Sequence, residues 1–518
     1  MKLFSVFYSS VFTTTTLALV DSTSALPRNL RADGSDKVNS DDRAYLLSDL
    51  SMPTNSDTSS FTDGSQVAEV AATRDVCIVG GGPAGTYAAH LLEEKGYSTA
   101  LFDEAHRLGG KTVPYGEDDL MFRHVLTSDM TLAIKFIEKF GLEDYKANRK
   151  NQNLCYDDQP ESVVPVSRKN FWENMRLGVP SGLSAEATVA MLKYIAIWND
   201  YEDVITQFNH DNVPDELKEP ADEWLAGNDL VAITQIPMFY NGLSNYGYSF
   251  LSEIPAIYIL KYISPTKMRQ HSDTLFPFHL MIERLGSNLK DVNLNTRVER
   301  IQQETDETWK LYAKGLNEKE LSYICDQVIL AFPPTAEALD IIDELHPATK
   351  ELFNDIHVVP YWEAILSDLP DCRSRDYLSC LARDNFYFRA PSISDRLSPS
   401  HNIPNVYGAF GESNEVFVLF NGAGKSFDQE GVFDIIQNHL HAAFGYDPNT
   451  YNIELYKKWP YFPHVNPDAM KDGFYNKLED AQGVQNLYFT GGFRDFELVD
   501  NTMRTTEDLL DRYFPSKY

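Results

Sequence analysis

The residues Asp75-Val-Cys-Ile-Val-Gly-Gly-Gly-Pro-Ala-Gly85 decide the fold of this chain. The first five form a short apolar, β-branched run, which is typical of a strand buried on both faces. The glycines that follow have the spacing G-x-G-x-x-G: Gly80, Gly82 and Gly85. An apolar-periodic helix then runs to Gly96, and a second strand over 98–102 leads to Asp103. Strand, glycine turn, helix and strand in this order predict a Rossmann-type α/β unit.

This context predicts a dinucleotide site. The first glycine permits the tight turn, the second lets the backbone approach a diphosphate, and the third lets helix and strand pack closely. The phosphates lie at the positive N-terminus of the helix, which opens here with Pro83 and Ala84. An acid after the second strand accepts hydrogen bonds from ribose hydroxyls, and Asp103 and Glu104 occupy that place. A glycine turn without a ligand is the alternative, which the surrounding pattern disfavours.

Composition limits the function classes. The 518 residues exceed what one core organises, so we expect more than one lobe. The net charge of −31 disfavours nucleic-acid partners, because acidic residues outnumber lysine and arginine. The five cysteines show no zinc spacing, so no metal site is predicted. Cys77 is expected to be a free, inert thiol in a buried strand, and a Cys372–Cys380 disulfide is left open.

The N-terminus predicts export. Lys2 precedes an interrupted apolar run that ends at Val20, and Ala25 stands where a signal peptidase cleaves. We therefore expect residues 1–25 to be a signal peptide and the mature chain to be secreted, with no segment inserted into a membrane. The polar residues 26–73 are expected to form a disordered linker.

Within this linker, Arg28-Asn-Leu-Arg31 resembles the RxLR motif of secreted oomycete effectors, with Asp41-Asp-Arg43 in the place of the acidic element of that family. The resemblance implies translocation into a host cell and a host-protein partner. A solvated basic cluster beside a processing site remains the alternative.

A second motif follows the predicted ribose acid. Arg107-Leu-Gly-Gly-Lys-Thr112 resembles the R-x-G-G-R-x-x-[ST] stretch of amine-oxidase-like flavoproteins, whose second glycine pair also approaches the diphosphate of FAD. NAD dehydrogenases do not usually place a glycine doublet there. Lys111 replaces the common arginine, which keeps the charge but loses a planar two-pronged donor. The resemblance implies an α/β fold: a Rossmann-type FAD-binding domain with an inserted α+β substrate domain.

Two distant segments extend the resemblance. Residues 293–301, followed by 326–334, look like the return of the chain to the nucleotide domain, where the backbone at Val298 would meet the adenine. Residues 486–492 look like the strand and glycine turn that face the flavin pyrimidine. A helix over 496–513 with Asp495 as its N-cap would follow, and its dipole would stabilise negative charge on the reduced flavin.

The motifs and the resemblance together define a candidate site. No cysteine follows Cys380, so FAD is expected to be held non-covalently. Glu497 and Arg494 are the candidate catalytic side chains, because the resemblance places their turn beside the isoalloxazine. The predicted cofactor-binding residues are Gly80, Gly82, Pro83, Ala84, Gly85, Asp103, Glu104, Arg107, Gly109, Gly110, Lys111, Thr112, Val298, Gly491, Gly492, Phe496 and Glu497.

Some stretches favour one branch of the family. They resemble the β-cyclopiazonate dehydrogenase-like group, which is related to bacterial polyunsaturated fatty acid double-bond isomerases: 246–248, 253–258, 459–464, 473–475 and 492–497. The leading hypothesis is hydride transfer from a small, largely apolar organic substrate to flavin N5. The alternatives are redox-neutral double-bond isomerisation of polyunsaturated fatty acids, and a secreted effector that keeps FAD structurally and binds a host partner.

The pattern also divides the folded part of the chain. The FAD-binding parts are 74–124, 266–340 and 466–518, around a mainly helical cap region at 125–265 and an α+β substrate region at 341–465. Helices are predicted over 130–140 and 185–201, and strands over 358–368, 386–389 and 406–420. The aromatic stretch 239–262 either walls a cavity for an apolar substrate or packs helices against the sheet.

Overall fold

The structure is a computed structural model that describes most of the chain after residue 69. The predicted signal peptide, the RxLR-like motif, the strand at 386–389 and Cys372 lie outside the described residues. Those residues are 70–112, 124–148, 151–156, 159–166, 185–210, 212–235, 248–249, 251–265, 274–304, 308–315, 318–367, 376–381, 405–410, 416–421, 447 and 452–518.

Strands and helices alternate in the first part of the chain, and strands dominate its middle. In chain order the strands are β1 (Val70–Val79), β2 (Thr99–Phe102), β3 (His124–Val125), β4 (Ala147–Asn148), β5 (Asn151–Tyr156), β6 (Gln159–Val166), β7 (Thr274–Phe276), β8 (Val292–Asn293), β9 (Thr296–Gln303), β10 (Trp309–Gly315), β11 (Glu320–Leu330), β12 (His357–Ser367), β13 (Asp376–Leu381), β14 (Asn405–Phe410), β15 (Val416–Asn421), β16 (Asn452–His464) and β17 (Leu487–Phe489). The α-helices are α1 (Pro83–Glu94), α2 (Thr131–Lys139), α3 (Ala185–Asp200), α4 (Glu202–Ile205), α5 (Ala221–Gly227), α6 (Ala256–Tyr262), α7 (Phe278–Gly286), α8 (Pro347–Leu352), α9 (Pro467–Lys471), α10 (Phe474–Ala481) and α11 (Val499–Tyr513).

A parallel sheet carries the glycine motif. Its strand order is β8-β2-β1-β11, and β17 pairs in parallel with the last residues of β11. The antiparallel strands β10 and β9 extend the sheet from the first half of β11. Val76, Cys77 and Ile78 of β1 are fully buried, as expected for a strand covered on both faces. This arrangement confirms the predicted Rossmann-type α/β unit.

The helix after the glycines also begins and ends as the sequence predicts. Pro83 is its first residue, where the fixed φ of proline suits the helix and the missing N–H costs nothing. Gly96 follows its C-terminus with φ +92°, a conformation that glycine adopts without steric cost. β1 begins at Val70, before the predicted linker boundary at residue 73, because Val70–Thr73 also pair with β11.

A second sheet lies in the inserted part of the chain. Its order is β16-β12-β15-β14-β13-β5-β6, and the described pairs are antiparallel except β13 with β5. The predicted strands at 358–368 and 406–420 are found as β12, β14 and β15, and the predicted helices at 130–140 and 185–201 as α2 and α3. The prediction that helices dominate 125–265 misses β4, β5 and β6. β5 forms a hairpin with β6 and pairs on its other side with β13, which lies more than 200 positions away.

A disulfide corrects the expectation for Cys77. Its sulfur is bonded to that of Cys325 on the neighbouring strand β11, with 5.8 Å between the two Cα atoms. Both residues are fully buried. The pairing depends on the register of two strands 248 residues apart, which the scattered cysteines do not reveal.

Within the described residues, no helix combines the length and the apolar character needed to cross a bilayer.

Candidate functional site

The first glycine turn is built as the motif predicts. Gly80 has φ +110°, which permits the sharp turn after β1. A Cβ on Gly85 would lie 1.9 Å from the Gly80 carbonyl oxygen, so only glycine lets α1 pack this closely on the strand. The turn is closed by the Thr86 hydroxyl, which donates to the Gly81 carbonyl oxygen at 2.9 Å.

The second glycine pair lies against the first turn. The Gly109 N–H donates to the Gly81 carbonyl oxygen at 2.9 Å. A Cβ on Gly110 would lie 3.0 Å from the Gly82 Cα, and a Cβ on Gly82 would lie 3.8 Å from the Gly110 Cα. Two stretches of side-chain-free backbone therefore face each other at the N-terminus of α1. This arrangement suits a dinucleotide diphosphate, because backbone amides and the helix dipole bind phosphate.

Asp103 lies at the end of β2 beside this turn. Its carboxylate accepts hydrogen bonds from the N–H groups of Gly81, at 2.5 Å, and Ala105, at 2.7 Å. The main chain of Asp103 is also bound, because the Thr296 N–H donates to its carbonyl oxygen at 2.9 Å. The Asp103 carboxylate therefore lies against the first glycine turn, at the place predicted for the ribose acid. Its location agrees with the predicted role.

Other predicted cofactor residues lie around these turns. Val298 is buried on β9, two residues beyond Thr296 and therefore near Asp103. The exposed Glu104 lies 3.9 Å from Arg297, and Arg107 forms an ion pair with Glu283 of α7 at 2.6 Å. Glu104 and Arg107 thus form ion pairs with Arg297 and Glu283, outside the glycine turns.

A third glycine turn joins the site through an ion pair. Gly491 and Gly492 follow β17, and Lys111, next to Gly110, pairs its ammonium with Glu497 at the end of this turn. Burial raises the pKa of the Glu497 carboxyl above its ordinary value, although Lys111 and the main chain of Phe462 oppose the shift. The second and third glycine segments are therefore held together by one partly buried ion pair.

Aromatic rings surround this ion pair. The Lys111 Nζ lies 5.4 Å from the centre of the Tyr461 ring, which stacks on Tyr361 at 4.7 Å. We call the following residues the aromatic wall: Tyr248, Tyr262, Tyr361, Tyr461, Phe462 and Phe496. Phe496, predicted to contact the cofactor, stacks on Tyr262 with ring centres 5.7 Å apart. The wall gives the neighbourhood of Lys111 and Glu497 an apolar character.

The structure does not bring Arg494 to Glu497. The Arg494 guanidinium is buried, donates to the Thr505 carbonyl oxygen at 2.7 Å and binds Glu479 at 3.1 Å. Asp508 lies 3.6 Å from the same guanidinium. These contacts join α10 to α11, so they indicate a structural role for this side chain.

Asp495 is not the N-cap of the last helix, contrary to the prediction. α11 begins at Val499 with Leu498 at the N-cap position, and no side chain caps it. The Asp495 carboxylate instead binds Lys261 of α6 at 2.5 Å, and it accepts a hydrogen bond from the Asn501 amide at 2.7 Å. The buried ammonium binds the carboxylate that was expected to cap the helix.

Sequence reasoning missed Lys261 and two further side chains that contact this turn. His210 and Tyr475 each lie within hydrogen-bond distance of its carbonyl oxygens. One signal was available for Lys261, because it is the only charged residue in the apolar run 254–263. A lysine in such a run is buried only with a partner.

Similar proteins were found by sequence and by structure. Residues 78–128 match the family model of an NAD(P)-binding Rossmann-like domain. The FAD-dependent oxidoreductase oblC of Cochliobolus heterostrophus is 23% identical, over 81% of this chain and 86% of that protein. β-Cyclopiazonate dehydrogenase of Aspergillus oryzae is 24% identical, over 85% of this chain and 93% of that protein. The fatty acid isomerase of P. acnes that produces CLA superimposes with a TM-score of 0.67 and 19% identity, over 85% of this chain and 99% of that chain.

These similarities agree with the geometry of the nucleotide domain. The family model covers the end of β1, α1, β2 and the first two glycine turns, and the solved structure has the same fold over nearly its whole length. The predicted fold class is confirmed. Among the described residues, no cluster of three or more His, Cys, Asp or Glu side chains is arranged to hold a metal ion.

Proposed function

We propose that this chain is an FAD-dependent oxidoreductase that removes a hydride from a small, largely apolar organic substrate. The observation that carries the proposal is the meeting of Gly82 and Gly110, with Lys111 of the same loop paired to Glu497. The two glycine turns that would hold the dinucleotide are thus connected to the third glycine turn, which faces the flavin in amine-oxidase-like proteins. The similarity to FAD-dependent oxidoreductases over more than four fifths of the chain supports this cofactor.

Different described residues would bind different parts of FAD. The amides around Gly82 and Gly110 would hold the diphosphate, Asp103 the ribose, and the backbone near Val298 the adenine. When bound, FAD supplies a hydride acceptor at N5. These contacts are non-covalent, as expected for a chain with no cysteine after Cys380.

Glu497 is our candidate catalytic residue. Burial raises the pKa of its carboxyl, which also touches the Lys111 ammonium, so Glu497 is the candidate proton donor or acceptor of this site. The aromatic wall lies beside this partly buried pair and offers an apolar surface to the substrate. This combination favours a substrate with an apolar body.

The second candidate function is redox-neutral isomerisation of a polyunsaturated fatty acid. In this reaction the hydride removed from one carbon returns to another, and no net oxidation occurs. The structural likeness to the CLA-producing isomerase favours it. The same residues would form its site, so the two functions differ in the fate of the hydride.

Anaerobic mixing of the FAD-loaded protein with amines, indoles or polyunsaturated fatty acids tests both functions. Oxidation of the substrate is expected to bleach the visible flavin band persistently. Shifted double bonds without net bleaching would instead identify an isomerase. A protein that binds FAD but does neither would point to an effector that binds a host partner. A protein that cannot take up FAD would contradict both proposed functions and the FAD-binding effector as well.

Replacing Glu497 with glutamine is expected to slow flavin reduction by about 100-fold, the usual contribution of a positioned acid or base. The amide keeps the shape of the side chain but cannot exchange a proton or balance the Lys111 charge. Stopped-flow absorbance measures the rate, and Glu318→Gln on the exposed surface is the control. An unchanged reduction rate in Glu497→Gln would remove Glu497 from the catalytic machinery.

We also propose that the chain is secreted and that the RxLR-like motif then directs it into a host cell. The apolar residues 3–20 support export, as does the buried Cys77–Cys325 disulfide, because such bonds persist in oxidising compartments. The motif Arg28-Asn-Leu-Arg31 supports the translocation step.

Expression of the full chain in a secreting eukaryotic cell tests export. The medium is expected to contain a protein that begins near residue 26, with Cys77 and Cys325 protected from alkylation until reduction. The double replacement Cys77→Ser/Cys325→Ser is expected to lower the free energy of unfolding by about 2–4 kcal/mol. Intracellular protein with an intact N-terminus and two reactive thiols would contradict the proposal.

A further inference from the structure

A buried ion pair holds the main chain just before Glu497. The Lys261 Nζ lies 2.5 Å from the Asp495 Oδ1, and these side chains are 1% and 0% exposed. The Asp495 carboxylate also accepts a hydrogen bond from the Asn501 amide. Two full charges are thus buried two residues away from the candidate catalytic carboxyl.

The Lys261 ammonium has further partners on one segment of the chain. It donates to the carbonyl oxygens of Ile205 at 3.2 Å, Gln207 at 2.5 Å and Asn209 at 3.4 Å. Lys261 therefore links the segment after α4 to the turn after β17. A single charge connects the helical region to the third glycine turn.

Two more buried side chains bind the same turn. The His210 Nε2 lies 2.9 Å from the Asp495 carbonyl oxygen, and the Tyr475 hydroxyl donates to the Phe493 carbonyl oxygen at 3.2 Å. Burial and the Lys261 ammonium lower the pKa of His210 well below its ordinary value, so the ring is neutral. Because a carbonyl oxygen only accepts, the Nε2 of this neutral ring carries the proton.

The backbone of the turn explains why it needs such contacts. Gly491 has φ +144°, and Asp495 has φ −143° with ψ −85°, so the chain changes direction sharply at both ends. A buried ion pair adds little net stability compared with apolar residues of similar size, but it can specify one conformation. Here the contacts that Lys261, His210 and Tyr475 make with the turn all fall on residues 493–495.

We propose that Lys261, with His210 and Tyr475, is a positioning residue that fixes the turn and thereby the location of Glu497 and Phe496 against the flavin. Lys261 acts through Asp495 and does not bind the cofactor itself. The inference rests on the proposed placement of this turn beside the flavin, and not on the identity of the substrate.

Variants that remove charge test whether Lys261 positions the turn or only stabilises the folded protein. Lys261→Met leaves the Asp495 charge unpaired and is expected to lower stability strongly. Lys261→Met/Asp495→Asn removes both charges and is expected to recover most of that stability. The double variant should still bind FAD about tenfold more weakly, because the turn is no longer fixed against the flavin, with an altered visible flavin spectrum. Urea unfolding of the apoprotein, fluorescence titration with FAD and absorption spectra provide the three measurements.

Two further variants complete the design. Lys193→Met breaks the exposed Lys193–Asp229 pair and should change none of the three measurements. Tyr475→Phe keeps the ring and adds no charge, so it should fold and change the FAD affinity and spectrum in the same direction by a smaller amount. If a charge variant fails to fold, Tyr475→Phe still tests whether these contacts position the turn.

The outcomes distinguish this inference from the proposed function. If the double variant and Tyr475→Phe bind FAD with wild-type affinity and spectrum, the positioning role is wrong while the flavoprotein assignment stands. If the wild-type chain binds no FAD, the proposed function fails first. Recovery of stability without recovery of the flavin properties supports the inference.

Discussion

Valine in place of Gly82 is expected to weaken FAD binding strongly while the chain stays folded. Gly82 has φ −72° and ψ −173°, which any residue adopts, and a Cβ there meets nothing closer than the Gly110 Cα at 3.8 Å. The branched side chain would occupy the space between the two glycine turns, where the diphosphate must lie. We expect the Kd for FAD to rise at least about 100-fold, which corresponds to about 3 kcal/mol.

Fluorescence titration of the apoprotein with FAD measures this effect, and circular dichroism reports the fold. Gly227→Val is the matched control, because a Cβ at Gly227 has no neighbour within 4 Å. Gly85→Ala should behave differently from both, since its Cβ would collide with the Gly80 carbonyl oxygen and disrupt the turn itself. Wild-type FAD affinity in Gly82→Val would show that the diphosphate does not lie between these loops.

Methionine in place of Arg494 is expected to lower the free energy of unfolding by about 3 kcal/mol, because it removes the buried partner of two partly buried carboxylates. Arg494 binds Glu479 and Asp508 inside the protein, at the junction of α10 and α11. The Arg494 charge, with Arg512 and the Tyr513 hydroxyl, holds the pKa of Glu479 below its ordinary value despite its burial, which raises it. The stabilisation is therefore present above the unfolded pKa of this carboxyl and is lost as the pH falls towards its folded value.

Arg512 provides the matched control. It binds the same two carboxylates at 3.1 Å, but its side chain is 32% exposed, so Arg512→Met should cost only about 1 kcal/mol or less. Urea unfolding of both variants gives the comparison, and flavin reduction by FAD-loaded Arg494→Met should stay close to the wild-type rate. A stable Arg494→Met variant with slow flavin reduction would favour the catalytic role that the sequence suggested.

The predictable part of the fold is the part encoded locally. The β1 run, the glycines of the first turn, Pro83 and Asp103 lie within one short stretch, and each has a steric or hydrogen-bonding reason to be there. The second glycine pair follows directly, so its approach to the first turn could also be anticipated.

The missed features all depend on contacts between distant residues. The Cys77–Cys325 bond joins residues 248 positions apart, and β5 lies between β6 and β13 because the distant strand β13 pairs with its free edge. Asp495 has the sequence environment of an N-cap, but the distant Lys261 binds its carboxylate. The local sequence predicts that Asp495 caps the following helix, but tertiary packing pairs it with Lys261 instead.

The parallel sheet has a consequence for biosynthesis. β1 and β2 leave the ribosome early, β11 emerges about 250 residues later, and β17 belongs to the last part of the chain. The first two glycine turns are therefore made long before the turn after β17, which is synthesised near the end of the chain. A cofactor that contacts all three turns can bind completely only late in synthesis.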